Sequence, residues 1–233
     1  LGHKVPLGVD LLSVCIDFKS PYAFVAHALI WELETQHGFV IDWQPLTLNI
    51  GSFLGTAEKS NQGAVVATNR SEKQWTVVKS AYRDARRYAA NQQRVLRGPL
   101  KIWDSSLAGI SLMWAQEKAD DRVDLKRFMD TVFTQFWQRA CDLEDAKELV
   151  KHLKAANIKT AGFLDYLEGQ GRERHDQLQS RLLDQGVFGV PSFLIRDEIF
   201  FGREHLDTVL WRLKGSQGPM PLLRFPWLQV SAL

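Results

Sequence analysis

Residues 9–18, Val-Asp-Leu-Leu-Ser-Val-Cys-Ile-Asp-Phe, form a short apolar run, the pattern of a mostly buried strand. Ser20 and Pro21 follow it. Proline suits the first helical position, where its missing N–H is not needed, and serine suits the N-cap before it. Phe24, Ala28 and Trp31 then share one helical face, which predicts a helix to about Glu34 with Gly38 marking its exit. Residues 39–46 predict a second strand. A right-handed β-α-β crossover makes these two strands parallel.

The middle of the chain has a helical period. Trp75, Val78, Tyr82, Ala85 and Ala89 recur on one face of residues 75–97, and segments 104–118, 121–138, 142–154 and 160–168 also prefer helix. Strand signals return at 191–195 and 199–201 around the turn Arg196-Asp197-Glu198, predicting a hairpin. Residues 203–214 close with an amphipathic helix that buries Leu206, Val209 and Leu210 and stops at Gly215. This order predicts an α/β fold with helices inserted between its β-α-β and β-β-α halves. The expected units are a discontinuous α/β domain over 9–54 and 181–217, a helical insertion over 55–180, and a tail over 218–233.

A chain of 233 residues that is 45% hydrophobic and 24% charged can bury a substantial core. Its net charge of +2 gives no general field for nucleic acid, and no nucleic-acid or membrane partner is expected. The apolar runs are too short to span a bilayer, and no leader pattern precedes the first strand. Cys15 and Cys141, the only cysteines, form neither a CxxC nor a metal-ligand cluster. They are expected to be reduced and buried, which favours a cytoplasmic setting. His27, His152, His175 and His205 show no metal spacing, so no metal is expected.

Two turns carry the candidate chemistry: Asp17-Phe18-Lys19-Ser20-Pro21-Tyr22 and Gly186-Val187-Phe188-Gly189-Val190-Pro191-Ser192. A thiolate or carboxylate at the first turn would gain from exposed amides and the helix dipole, with Ser20 as donor. No Ser-His-Asp set or nucleophile elbow accompanies Ser20, so donation suits it better than acylation. Residues 70–101 hold nine Lys/Arg against two acidic residues, a balance that a solvated helix face mostly explains and that an anionic ligand near one edge would use.

These two turns, with Phe200-Phe201-Gly202-Arg203-Glu204-His205-Leu206, resemble one thioredoxin-fold family across about residues 9–215. It includes the 2-hydroxychromene-2-carboxylate isomerases, the kappa-class glutathione transferases and the more distant DsbA-type oxidoreductases. The resemblance implies a thioredoxin-like fold, glutathione as cofactor, and an aromatic-derived unsaturated keto acid as substrate. It assigns the sulfur-facing hydroxyl to Ser20 beside Pro21 and Tyr22, and the backbone clamp to Val190 before a cis Pro191. Arg203 and Glu204 stand where the family has a Ser-Asp or Gln-Asp pair for the γ-glutamyl end. Lys59 and Asn61 are the nearest match to a Lys and Asn at the entrance to the helical region. Tyr82, Asp84, Arg87 and Tyr88 are the implied substrate wall, and a homodimer is the implied assembly. Conjugation by a kappa-like transferase, DsbA-like disulfide exchange and ligand binding without catalysis are the rival readings.

Overall fold

A computed structural model describes residues 12–221. The expected strand at 9–18 is β1 (Leu12–Ile16), and residues 9–11 lie outside the described residues. Helix α1 (Pro21–His37) starts on Ser20, whose extended backbone and side chain cap the Ala23 N–H, with Pro21 at the first position. It ends at Gly38, whose positive φ of 72° lets its N–H reach back to the Glu34 carbonyl. Strand β2 (Ile41–Pro45) lies parallel to β1, with Leu12 opposite Ile41. The parallel crossover predicted from the sequence is present.

From the far end of the chain, β5 (Ser192–Ile195) pairs antiparallel with β1, and β6 (Glu198–Phe201) pairs antiparallel with β5. The sheet order is β2-β1-β5-β6. A 3₁₀ turn (Arg203–His205) leads into α9 (Leu206–Leu213), which buries Val209 and packs on β5. The expected tail falls mostly beyond residue 221, outside the described residues.

The connecting segment opens with more than helices. After the short α2 (Ile50–Leu54), β3 (Ala57–Lys59) and β4 (Val65–Thr68) form an antiparallel hairpin. Consecutive β-branched Val65 and Val66 favour this geometry. Then follow α3 (Glu72–Asn91), α4 (Ser106–Lys118), α5 (Arg122–Trp137), α6 (Ala146–Ala155), α7 (Phe163–Glu168) and α8 (Gln170–Asp184). The last of these adds a helix to the five read from periodicity. One buried cluster joins sheet and helices: Phe18 packs on Phe133 with ring centroids 4.7 Å apart, and Trp31 on Trp43 at 5.1 Å. No helix among the described residues is long and apolar enough to cross a membrane.

Side chains close the outer edge of β2. Gln116 accepts from the Trp43 N–H and donates to the Trp43 carbonyl, while Gln179 accepts from Thr47 N–H and donates to the Pro45 carbonyl. These amides replace a neighbouring strand at an otherwise open ladder. The groove of about 640 Å³ beside this edge already has its arginines engaged. Arg122 holds Glu34, Arg174 holds Glu117 and Arg181 holds Gln44.

Buried His175 lies beneath the same edge, with Nδ1 2.9 Å from Asp176 and Nε2 2.9 Å from the Thr47 hydroxyl. Donation to Asp176 and acceptance from Thr47 satisfy the neutral ring. Burial holds its pKa below the ordinary 6.5 against the opposing pull of Asp176. The unfolded chain therefore binds the extra proton more readily, and this contribution to stability is lost as pH falls below about 6.5. We expect a shallower loss of stability between pH 7 and 5 in His175→Gln than in the parent, measured by urea unfolding; equal slopes would refute the assignment.

Candidate active site

Asp17 sets the geometry of the first turn. Its side chain is buried and accepts from the backbone N–H of Lys19 at 3.0 Å and of Leu48 at 2.8 Å. Its carbonyl accepts from Ser20 N–H at 3.0 Å, and the Lys19 ammonium lies 3.6 Å from its carboxylate. The exit of β1 is thereby tied to the loop after β2. An acidic residue at the end of an apolar run, three positions before Ser20-Pro21, was the available signal for this anchor.

Ser20 is buried, and its hydroxyl oxygen accepts from Ala23 N–H at 3.2 Å. Phe24 N–H goes to the Ser20 carbonyl, and Pro21 has no N–H. Tyr22 N–H, in the same turn, has no hydrogen-bond partner among the described residues. The Ser20 hydroxyl proton points toward the Val190 carbonyl 3.5 Å away, the outer limit of a hydrogen bond. The cap therefore uses the oxygen as acceptor and leaves its proton weakly held.

The second turn meets the first at this contact, 170 residues along the chain. The Val190–Pro191 peptide is cis. The Pro191 carbonyl accepts from Gly202 N–H at 2.9 Å, and the Ser192 hydroxyl donates to the Gly189 carbonyl at 2.7 Å. A Cβ on Gly189 would stand 2.6 Å from the Phe201 ring, so a larger residue here would displace that side chain.

A cleft of about 760 Å³ opens over the joined turns. Ser20, Pro21, Tyr22 and Val190 form its floor; Lys59, Tyr82 and the 98–103 segment form walls, with Phe188 and Phe201 at another side. Sequence reading missed Arg70, Trp75, Arg86 and Trp103 in this lining. Among the described residues, no Asp or Glu lines the cleft. Lys59 feels the consequence: burial first, then Arg139, Arg86 and Arg70, pushes its pKa below 10.5. Burial raises Tyr82 to about 12 despite Arg70 and Arg86, so its phenol stays protonated at neutral pH.

The remaining candidates are divided. Asn61 is exposed in the β3–β4 turn and does not line the cleft. Asp84 lies on another face of α3 from Tyr82, where it accepts from the Tyr22 hydroxyl at 3.2 Å. This carboxylate adds to burial in raising Tyr22 to about 12. The Arg203 guanidinium stacks 3.2 Å from the Tyr88 ring centre, beside that pair rather than in the cleft. Arg87 is exposed, and neither it nor Pro191 lines the cavity. Exposed Glu204 folds over Gly202, where its carboxylate fills the space a Cβ would need.

A family model for the DSBA-like thioredoxin domain matches residues 12–214. The chain belongs to the DSBA-like thioredoxin family. It is 24% identical over 195 residues to a 2-hydroxychromene-2-carboxylate isomerase of Sphingobium xenophagum, covering 82% of this chain and 91% of that one. A second isomerase of that name, from Pseudomonas sp. (strain C18), is 23% identical over 218 residues, covering 92% and 93%. Among solved structures, a 2-hydroxychromene-2-carboxylate isomerase superposes with TM-score 0.64 at 18% identity, covering 88% of this chain and 93% of that one. The cytosolic disulfide reductase DsbM of Pseudomonas aeruginosa, solved with GSH, gives 0.53 at 11% identity, covering 86% and 91%. These structural likenesses are of fold.

Within this DSBA-like fold the cysteines are withdrawn from solvent. Cys15 is fully buried on β1, and burial with the Asp42 charge raises it to about 12. Cys141 is also buried and raised to about 12 by burial and neighbouring carboxylates. Disulfide exchange requires an accessible thiolate, and these two thiols are neither accessible nor ionised at neutral pH. We expect a thiol reagent at pH 7 to leave both unmodified in the metal-free native protein and to label both in denaturant. Rapid native labelling of Cys15 would contradict this account.

Proposed function

We propose that this protein is a glutathione-dependent isomerase acting on an aromatic-derived unsaturated keto acid such as 2-hydroxychromene-2-carboxylate. The observation that carries the reading is the Ser20 hydroxyl, which caps α1 through its oxygen while its proton is held only by a 3.5 Å contact with Val190. The two isomerases matched along most of this chain support the same reading.

The residues fit a thiol cofactor bearing carboxylates. The positive end of α1 lies at the floor of the cleft, which Pro21 and Tyr22 line. Val190 offers backbone polar groups beside Ser20, and Lys59 supplies an ammonium crowded by other cations. An anion near Lys59 relieves that crowding. The chemistry glutathione supplies when bound is a thiolate that adds reversibly to a conjugated carbon and permits rotation about the former double bond.

Ser20 then turns its proton from the Val190 carbonyl toward the sulfur and, with the helix terminus, favours the ionised thiol. Tyr22 remains held by Asp84 and fixes the cofactor side of the floor. Arg70 and Arg86 favour the substrate carboxylate, while Trp75 and Trp103 give its aromatic body apolar walls and reduce access of water. Tyr82 remains a phenol and can donate to an oxygen that gains charge during the reaction.

Ser20→Ala should lower kcat by roughly 100-fold or more. Its lost cap should cost about 1 kcal/mol, leaving a folded protein. The assay follows isomerisation of 2-hydroxychromene-2-carboxylate with added glutathione and measures free thiol afterwards. Thiol-independent turnover would reject the mechanism, and consumption of glutathione would indicate conjugation instead. Lys59→Met should raise KM for glutathione about tenfold, as expected for one charge-assisted hydrogen bond. An unchanged KM would remove Lys59 from the binding site.

A further inference from the structure

Cys141, Glu148 and His152 meet where the loop before α6 joins that helix. Cys141 precedes α6, and Glu148 and His152 lie one helical turn apart upon it. Their sulfur, oxygen and nitrogen atoms all lie within 4.8 Å of one another. His152 is only 7% exposed, yet its buried Nε2 has no hydrogen-bond partner. The other two buried histidines among the described residues differ, since His27 and His175 have polar neighbours at both ring nitrogens.

Glu148 is already oriented for a shared ligand. Its Oε2 accepts from Asp142 N–H at 2.9 Å, while Oε1 lies 3.9 Å from His152 Nε2. In a tetrahedral zinc site with bonds of about 2.0–2.3 Å, ligand atoms stand roughly 3.4–3.6 Å apart. Shortening these separations by at most about 1.4 Å therefore closes this set around an ion. Asp142 and Asp145 add negative charge near the sulfur. That surrounding disfavours a bare thiolate and favours a bound dication.

We propose that Cys141, Glu148 and His152 form a zinc site, with one coordination position open to water. The mixed sulfur, nitrogen and oxygen donor set suits Zn²⁺ over the hard cations Mg²⁺ and Ca²⁺. Binding replaces the Cys141 thiol proton, which passes to solvent, and gives His152 Nε2 its missing partner. The ion joins the start of the 141–145 loop to α6. Glu144 of that loop holds the Lys101 ammonium and accepts from the Asp104 N–H at 2.7 Å. Lys101 lines the active-site cleft, so the zinc site braces one cleft wall from behind.

The test uses untagged, full-length, metal-free protein titrated with Co²⁺ and then Zn²⁺. One Co²⁺ per chain should bind with the visible bands of a tetrahedral centre and a near-ultraviolet thiolate-to-cobalt band, both removed by Zn²⁺. Cys141→Ser should abolish the thiolate band, whereas Cys15→Ser should retain it. Glu148→Gln and His152→Gln should weaken binding by about 10-fold or more. Zn²⁺ should also raise the melting temperature of the parent but not of Cys141→Ser. Absence of the thiolate band in the parent protein overturns the proposal without reference to any variant. Its loss in Cys15→Ser, or persistence in Cys141→Ser, overturns it equally.

Discussion

The antiparallel pairing of β1 with β5 is the contact on which the candidate site depends. With Cys15 opposite Ser192, the exit of β1 and the entry to β5 lie at the same end of the sheet. Ser20 follows one strand and Val190 precedes the other, so the register brings the two turns together. A one-residue slip would turn every β5 side chain to the opposite face of the sheet and separate the turns. Fully buried Val14 and Phe193 lie opposite each other and resist that slip through the core. Asp17 completes the arrangement by tying the same turn to Leu48 after β2.

Much of this frame was legible locally. Ser-Pro before an apolar helical face gave the start of α1, and a turn between two apolar runs gave the β5–β6 hairpin. Helix α8 was harder because four buried residues, Gly171, His175, Leu178 and Leu182, carry its packing face amid polar positions. The β3–β4 hairpin was missed for a nonlocal reason. Lys59 N–H donates to the Leu100 carbonyl at 2.6 Å, a partner whose proximity no local window contains.

The site was legible in its turns and less so in its walls. A helix advances about 100° per residue, so Asp84 lies roughly 200° from Tyr82 around α3. Tyr82 and Arg86, four residues apart, share the cleft face. Asp84 and Tyr88, also four apart, share another and engage Tyr22 and Arg203. A cluster of functional residue types in sequence was thus divided by helical phase. The family resemblance named the helix, but burial and the neighbouring turns decided which face opens on the cavity.

Charge and thiol placement together narrow the chemistry available to this fold. Among the described residues the cleft gathers cations with no lining carboxylate, so bringing an anion inside reduces repulsion already present. Both protein thiols lie elsewhere, buried and protonated. A nucleophile used here is therefore best supplied from solution and bound as an anion. Ser20 is suited to receive it because one atom performs two separable tasks: its lone pair caps the helix, and its proton remains available to the cleft. The acceptor bond fixes where the hydroxyl sits, and the long contact to Val190 leaves its proton free to be redirected.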